Sequence, residues 1–275
     1  MSLFVVDPKK CDREGMCVAV CPLRIIKLKG QNSVPIPSDK AEDLCVNCGH
    51  CVAVCPGGAL THKNMRPEQC FPIQKERVIK PEQIRHFLCA RRSIRVYKEQ
   101  PVKRELLAGL IDIARFAPSG HNRQPVKWLV IYNSDEVQRL AGLVADWMRF
   151  MLKEEPKMSK EMHMDHVIDK WEAGSDIICR NAPHLIIAHA SATERTAPAA
   201  CTIAMTYLEL AAVSFGLGTC WAGFFNAAAT LWPPLQQSLG LPDGHVGFGA
   251  MMVGYPKFQY HRIPLRNEPQ ITWHI

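Results

Sequence analysis

Seven of the twelve cysteines in this 275-residue chain fall into two runs whose spacing can do electron chemistry. In CVNCGHCVAVCP, Cys45, Cys48, Cys51 and Cys55 stand ahead of Pro56 with the spacing C-x2-C-x2-C-x3-C-P. Three thiolates at intervals of three wrap one face of an iron-sulfur cube, while the fourth, set off by one more residue and a proline, points to a different cube. One such run therefore demands a second. It lies upstream in CDREGMCVAVCP, where Cys11, Cys17 and Cys21 precede Pro22 and Glu14 occupies the second ligand position. Cross-ligation assigns Cys21, Cys45, Cys48 and Cys51 to one complete 4Fe-4S cluster. Cys11, Cys17 and Cys55 are left with a second cluster that lacks a fourth thiolate. That site is either 3Fe-4S or a 4Fe-4S whose odd iron takes the Glu14 carboxylate, water or hydroxide.

Paired C-x2-C knuckles also bind zinc, but a zinc site takes four ligands and has no use for four cysteines crowded into one run ending in proline. A disulfide framework fits less well. MSLFVVDPKK shows no basic start followed by an apolar run, so no signal peptide is expected, and thiols in a reducing cytoplasm stay available to iron. Over residues 1–65 the chain resembles a two-cluster bacterial ferredoxin, and a cytoplasmic location is expected.

Such a unit leaves ~200 residues, enough for a second domain with its own core. The formal charge is +7. Two clusters add about −3 by simple counting of core charge against thiolates, leaving roughly +4. With no basic run or aromatic-interleaved patch, nucleic acid is not an expected partner. MRPEQCFPIQKERVIKP carries three prolines and no lasting periodicity, so residues 66–81 read as a linker and 82–275 as the second domain. Cys70 lies in that linker outside any ligand spacing and reads as a half-buried thiol.

The remaining elements must position whatever the second domain binds. Leu106, Leu107, Leu110, Ile111 and Ala114 recur at helical steps in a segment that has to stop before Pro118. The loop PSGHNRQP follows, and β-rich runs appear at 126–132, 184–189 and 246–253. An apolar helix is expected over 203–215, closed by Gly216 or Gly218. Glu209 and the glycines interrupt the apolar stretch 197–229 before a membrane-spanning length, so the helix reads as core and no membrane is expected. Residues 146–180 hold Met148, Met151, Met158, Met162 and Met164 at helical steps and fit either a lid or helical packing at a dimer interface. His163 and His166 in that segment read as surface residues.

Four motifs in order, RRSIRVYKEQPV, ARFAPSGHNRQPVKWLVI, GLGTCWAGFF and VGYPKFQYHRIPLR, resemble the FMN-dependent nitroreductase family from about Cys89 to the C-terminus. Arg91, Ser93 and Arg95 offer two guanidinium forks and a hydroxyl, groups suited to a phosphate and to the electron-rich edge of a flavin. The resemblance implies that Arg91 and Ser93 bind the FMN phosphate and ribityl chain, helped by Arg92, and that Arg95 approaches the pyrimidine edge. It implies a homodimer with the flavin at the interface, so that Pro118, Ser119, Gly120 and Asn122 come from the partner chain and Gln124 positions their loop. Gly120 stands where many relatives carry serine or alanine. Trp221, Ala222 and Gly223 match the segment whose backbone passes the flavin N5, where a glycine permits close approach and an N–H stabilises the reduced ring. Ala222 stands where many relatives are acidic. Arg266 and Arg262 match the basic residue that closes on the phosphate.

The expected fold class is α+β: a two-cluster ferredoxin domain followed by a dimeric nitroreductase-like α/β sandwich with a central sheet. A ferredoxin module ahead of such a domain also occurs among anaerobic prokaryotes. The expected function is an oxidoreductase that passes electrons from clusters to FMN and on to a nitro compound, quinone, activated alkene or halogenated aromatic. No side-chain nucleophile is required, because the flavin carries the chemistry. Reduced ferredoxin or another donor protein would supply the electrons. The alternative is an electron carrier that docks on a larger redox partner and has no small substrate. Oxygen-dependent fragmentation of the flavin fits poorly with oxygen-sensitive clusters in the same chain.

Overall fold

The computed structural model describes residues 2–30 and 32–274. The chain divides into two compact units, 1–79 with 121–123, and 80–120 with 124–275.

The first unit is built from two near-copies of one pattern. β1 (Phe4–Val6) pairs antiparallel with β4 (Leu60–His62), and β2 (Ile26–Lys27) pairs with β3 (Ile36–Pro37). α1 (Met16–Ala19) and α3 (His50–Ala53) are single turns, each entered through a left-handed glycine, Gly15 at φ 72° and Gly49 at φ 74°. Only glycine adopts that backbone without steric cost, which is why each cysteine run carries one. α2 (Ala41–Leu44) completes the set. The core is small: Leu3, Phe4, Ile25, Ile26, Ala41, Val52 and Leu60, with Cys17, Cys21, Cys45, Cys51 and Cys70 packed against it. The stretch expected as a linker carries two 3-10 turns, Pro67–Gln69 and Lys75–Arg77, and belongs to this unit up to Ile79.

The second unit is layered about one antiparallel sheet. Its first helices are α4 (Pro81–Ala90) and α5 (Arg104–Ala114). The strands are β5 (Lys127–Ile131), β6 (His184–Ser191), β7 (Gly218–Trp221) and β8 (His245–Gly254), in the order β5-β6-β8-β7. β6 and β8 are central, and their apolar stretches Leu185–Ala188 and Ala250–Val253 send alternate residues into two separate cores, following the two-residue side-chain period. Ile186, Ala188, Met251 and Val253 pack with Leu107 and Leu110 of α5 and with Met205 and Leu208 of α9 (Ala197–Ser214). Leu185, Ile187, Ala250 and Met252 pack on the opposite face. There they meet Leu140, Val144 and Met148 of α6 (Ser134–Glu154), Met164 of α8 (Met164–Glu172), Phe225 of α10 (Gly223–Leu231) and Leu235 of α11 (Pro233–Leu239). α7 (Pro156–Glu161) joins α6 to α8.

α9 begins at Ala197, six residues ahead of the expected start, because Pro198 suits a first helical turn. It ends before Gly216, at φ 68°, whereas Gly218 opens β7, a strand the periodicity did not announce. α9 is long and apolar enough to cross a membrane by composition, yet it packs between α5 and the sheet. Met148 and Met164 are fully buried in the second core, while Met158, Met162, His163 and His166 are exposed.

His184 ties the start of β6 to two loops. Its ring is buried and stacked on Tyr132 at 4.5 Å between centroids. Nε2 accepts the Val102 amide at 2.8 Å, so the proton lies on Nδ1, which donates to the Tyr132 carbonyl at 2.8 Å. Burial holds this imidazole below its ordinary pKa. The unfolded chain protonates near pH 6.5, so below that pH the unfolded state binds the extra proton and stability falls as pH drops. His184→Leu, which strands a buried donor and acceptor, is expected to cost about 3 kcal/mol at pH 7.5 and to flatten the pH dependence below 6.5, read from urea unfolding. A variant with wild-type stability and slope contradicts this.

Candidate functional site

In the first unit the two cysteine runs interleave around two cavities. One is lined by Cys21, Cys45, Cys48 and Cys51 together with Leu3, Ile26 and His62. The other is lined by Cys11, Cys17 and Cys55 together with Asp12, Gly15 and Leu60. Each cavity thus takes one cysteine from the far run. Burial, then the neighbouring Cys48 and Cys45, pushes the Cys51 thiol up to about 11, and burial first also raises Cys17. Left bare, these thiols favour the protonated form, and a cationic iron core is what would draw them as thiolates. Among the described residues no three His, Cys, Asp or Glu side chains close on a single point as a mononuclear metal needs. The thiols stand around voids, the arrangement a polynuclear centre with its own sulfides can fill. Glu14 is exposed and does not line the second cavity; its amide donates to Asp12 Oδ1 at 3.3 Å.

In the second unit residues 91–98 run along the outer edge of the sheet. The Ile94 amide donates to the Thr219 carbonyl of β7 at 2.9 Å, and Lys98 and Lys257 continue the pairing with Tyr255 and Val96. Extended backbone puts Arg91, Ser93 and Arg95 at alternate positions. Arg91 Nη1 donates to Glu209 Oε1 at 2.9 Å. Glu209 is buried in α9, and a charge there requires a partner. Burial raises the Cys220 thiol while Arg95, Arg180 and Ser93 oppose the shift, and its Sγ points at the Trp221 carbonyl at 3.6 Å. Arg92 instead folds back onto the C-terminal carbonyls of α4, donating to Cys89 and, at 3.4 Å, to Ala90. Arg91 and Arg92 line a cavity of about 620 Å³ with Lys98, Lys257, Phe258 and Tyr260. That volume falls in the range of small-molecule sites, roughly 300–1,000 Å³.

The 118–124 loop lies elsewhere. Pro118, Ser119 and Gln124 line a separate cavity with Trp128 and Ala200. The Gln124 amide donates to Ser119 Oγ at 2.9 Å, so it is the backbone of Gln124 that holds the loop. His121, Asn122 and Gln124 all adopt left-handed φ of 47–52°, a conformation rare for residues other than glycine and asparagine. Asn122 groups with the first unit, where Nδ2 donates to the Val46 and Asn47 carbonyls at 3.3 and 3.0 Å. A Cβ on Gly120 would stand 2.7 Å from Thr196 Cγ2, which accounts for glycine at that position.

Of the three residues at 221–223, Ala222 is buried with its amide committed to the Ala250 carbonyl at 2.9 Å. Gly223 opens α10, so its amide is one of the unpaired N–H groups of a helix start, and nothing lies within 4 Å of the place a side chain would occupy. Trp221 is exposed beside it. Arg262 and Arg266 lie on the exposed segment after β8; Arg266 bonds its neighbour's carbonyl, and neither lines the Arg91 cavity. Glu209 and Arg180 are the two site residues that sequence reasoning missed. A lone glutamate on the apolar face of α9 is itself a signal that a cation must meet it. Arg180 sits in a loop with no such mark.

Residues 88–255 match the nitroreductase family and residues 9–60 match the 4Fe-4S dicluster domain. A 7Fe ferredoxin of Hydrogenibacillus schlegelii is 35% identical over 78 residues, 28% of this chain and 94% of that protein. An NADH dehydrogenase of Thermus thermophilus is 28% identical over 201 residues, 66% of this chain and 92% of that protein. Among solved structures, a nitroreductase with bound FMN from Desulfitobacterium hafniense superposes with a TM-score of 0.57 at 23% identity, covering 71% of this chain and 99% of that one.

Arg91→Ala leaves the buried Glu209 carboxylate without its cation. The expected cost is about 2 kcal/mol in thermal unfolding, and Glu209→Gln in the same chain should recover most of it, since the stranded charge is then gone. Equal stability of the native chain and the Arg91→Ala variant contradicts the pairing.

Proposed function

The chain belongs to the nitroreductase family over residues 88–255 and carries a 4Fe-4S dicluster ferredoxin domain over residues 9–60, and from these memberships we propose an oxidoreductase in which iron-sulfur clusters feed an FMN that reduces a small organic acceptor. The single observation that carries this reading is the presence in one chain of two thiol-lined cavities and a nitroreductase-family domain. Clusters pass electrons singly, and FMN, when bound, supplies the exchange between one-electron and two-electron chemistry. The acceptor class is a nitro compound, quinone, activated alkene or halogenated aromatic.

The residues present fit both kinds of group. Cys21, Cys45, Cys48 and Cys51 would hold a 4Fe-4S cluster. Cys11, Cys17 and Cys55 would hold a 3Fe-4S cluster, a reading supported by the exposure of Glu14 and by the 7Fe relative. Arg91, Ser93 and Arg95 would meet the phosphate and ring edge, and the free Gly223 amide would face the flavin. Arg91 and Ser119 line different cavities of one chain, which supports a homodimer whose flavin site takes Pro118, Ser119, Gly120 and Asn122 from the partner chain, with Gln124 holding their loop. Trp221, Arg262 and Arg266 would close over that site. We place the protein in the cytoplasm, with reduced ferredoxin or a similar protein as donor. The Thermus relative, an NADH dehydrogenase, supports a second reading in which NADH reduces the flavin directly.

Chain purified without oxygen is expected to carry about one FMN and about seven irons with acid-labile sulfide. Two zincs and no sulfide would overturn the electron-transfer reading.

A further inference from the structure

The two halves of the first unit repeat one pattern but differ at a position that touches a cysteine. Seven residues after Cys55 stands His62, and seven residues after Cys21 stands Leu28. Leu28 Cδ1 lies 3.6 Å from where a side chain on Gly15 would begin, beside the run that lines the second cavity. His62 ends β4, is 5% exposed and lines the first cavity. Its Nε2 is 3.5 Å from Cys45 Sγ.

The backbone decides which ring nitrogen carries the proton. The Asn64 amide, which can only donate, points at His62 Nδ1 at 3.1 Å. Nδ1 is therefore the acceptor and the proton of the neutral ring sits on Nε2, aimed at the Cys45 sulfur. The ring cannot easily turn away. His62 and Met65 exchange both backbone hydrogen bonds at 3.0 Å, and Asn64 Nδ2 donates to Asn47 Oδ1 at 3.0 Å, fastening the turn to the Cys45–Cys48 loop.

We propose that His62 donates a hydrogen bond from Nε2 to the Cys45 thiolate and thereby raises the reduction potential of the cluster held by Cys21, Cys45, Cys48 and Cys51. This rests on the cluster assignment above. Reduction adds negative charge that spreads onto the cysteine sulfurs, so a fixed N–H donor stabilises the reduced form more than the oxidised one. At the matching place in the other half, Leu28 has no N–H to offer. His62 acts through Cys45 and touches no substrate, so it is a positioning residue that sets the potential of the cluster it faces.

The test is a redox titration of the full chain followed by electron paramagnetic resonance, comparing native, His62→Phe and His62→Gln proteins. Phenylalanine keeps the ring volume and removes the donor; glutamine keeps an N–H. The expected result is unchanged iron content, a midpoint lowered in His62→Phe by about tenfold in the reduction equilibrium, ~59 mV for one electron, partial recovery in His62→Gln, and no change at the second cluster. An unshifted midpoint in an iron-replete His62→Phe chain overturns the proposal. His50 also lines this cavity, so a second measurement uses the chain with His50→Gln and nitrogen-15 histidine. Pulsed resonance on its reduced cluster should detect a histidine nitrogen and an exchangeable proton, even where His62→Phe fails to hold iron. Their absence overturns the proposal, and absence of any cluster signal from the native chain overturns the cluster assignment with it.

Discussion

Two-sided burial of β6 and β8 is the constraint on which the second unit depends. Once alternate residues of both strands are committed to two apolar cores, the stretches Leu185–Ala188 and Ala250–Val253 offer no polar side chain to a ligand. Polar chemistry must then gather at the sheet edge and at helix starts. That is where the chain puts it: residues 91–98 run beside β7, and Gly223 opens α10 directly after that strand. Glu209, a charge buried on α9, is matched by the first arginine of the edge segment. The Arg91–Glu209 pair thus anchors the edge segment to α9 and sets where Ser93 and Arg95 fall.

The first unit obeys a different constraint. A core cluster this small among the described residues is too little to hold a domain of this size by burial alone. Its cysteines pack where a larger domain would place more core, and metal binding adds folding free energy. Each cavity draws on both cysteine runs, so a cluster in either would cross-link the halves of the unit.

Some of this was legible in the sequence. Cysteine spacing marks which thiols share a cavity because the cross-over is a property of the run itself, and the central strands announce themselves as β-rich runs at 184–189 and 246–253, inside the observed β6 and β8. The 104–114 helix is equally plain. Features that depend on a distant neighbour were not legible. Gly120 is explained by Thr196, and the amide of Ala222 is taken by Ala250, which leaves Gly223 as the free donor. Arg92 reads like its neighbours in RRSIR but turns back to cap α4. The short strand β7 carries no alternation to reveal it, and the six extra residues of α9 follow from a proline whose role depends on the turn before it. Propensity and period report local preference; these positions are decided by packing.

The central claim is that the clusters are the entry route for electrons that reach the flavin. The most direct measurement is anaerobic rapid mixing of reduced ferredoxin with the native chain and with a Cys48→Ser, Cys51→Ser chain that retains FMN, following cluster and flavin absorbance separately. The account predicts that cluster bleaching precedes flavin bleaching in the native chain and that flavin reduction is far slower in the variant. Flavin reduction at the same rate in both would contradict it.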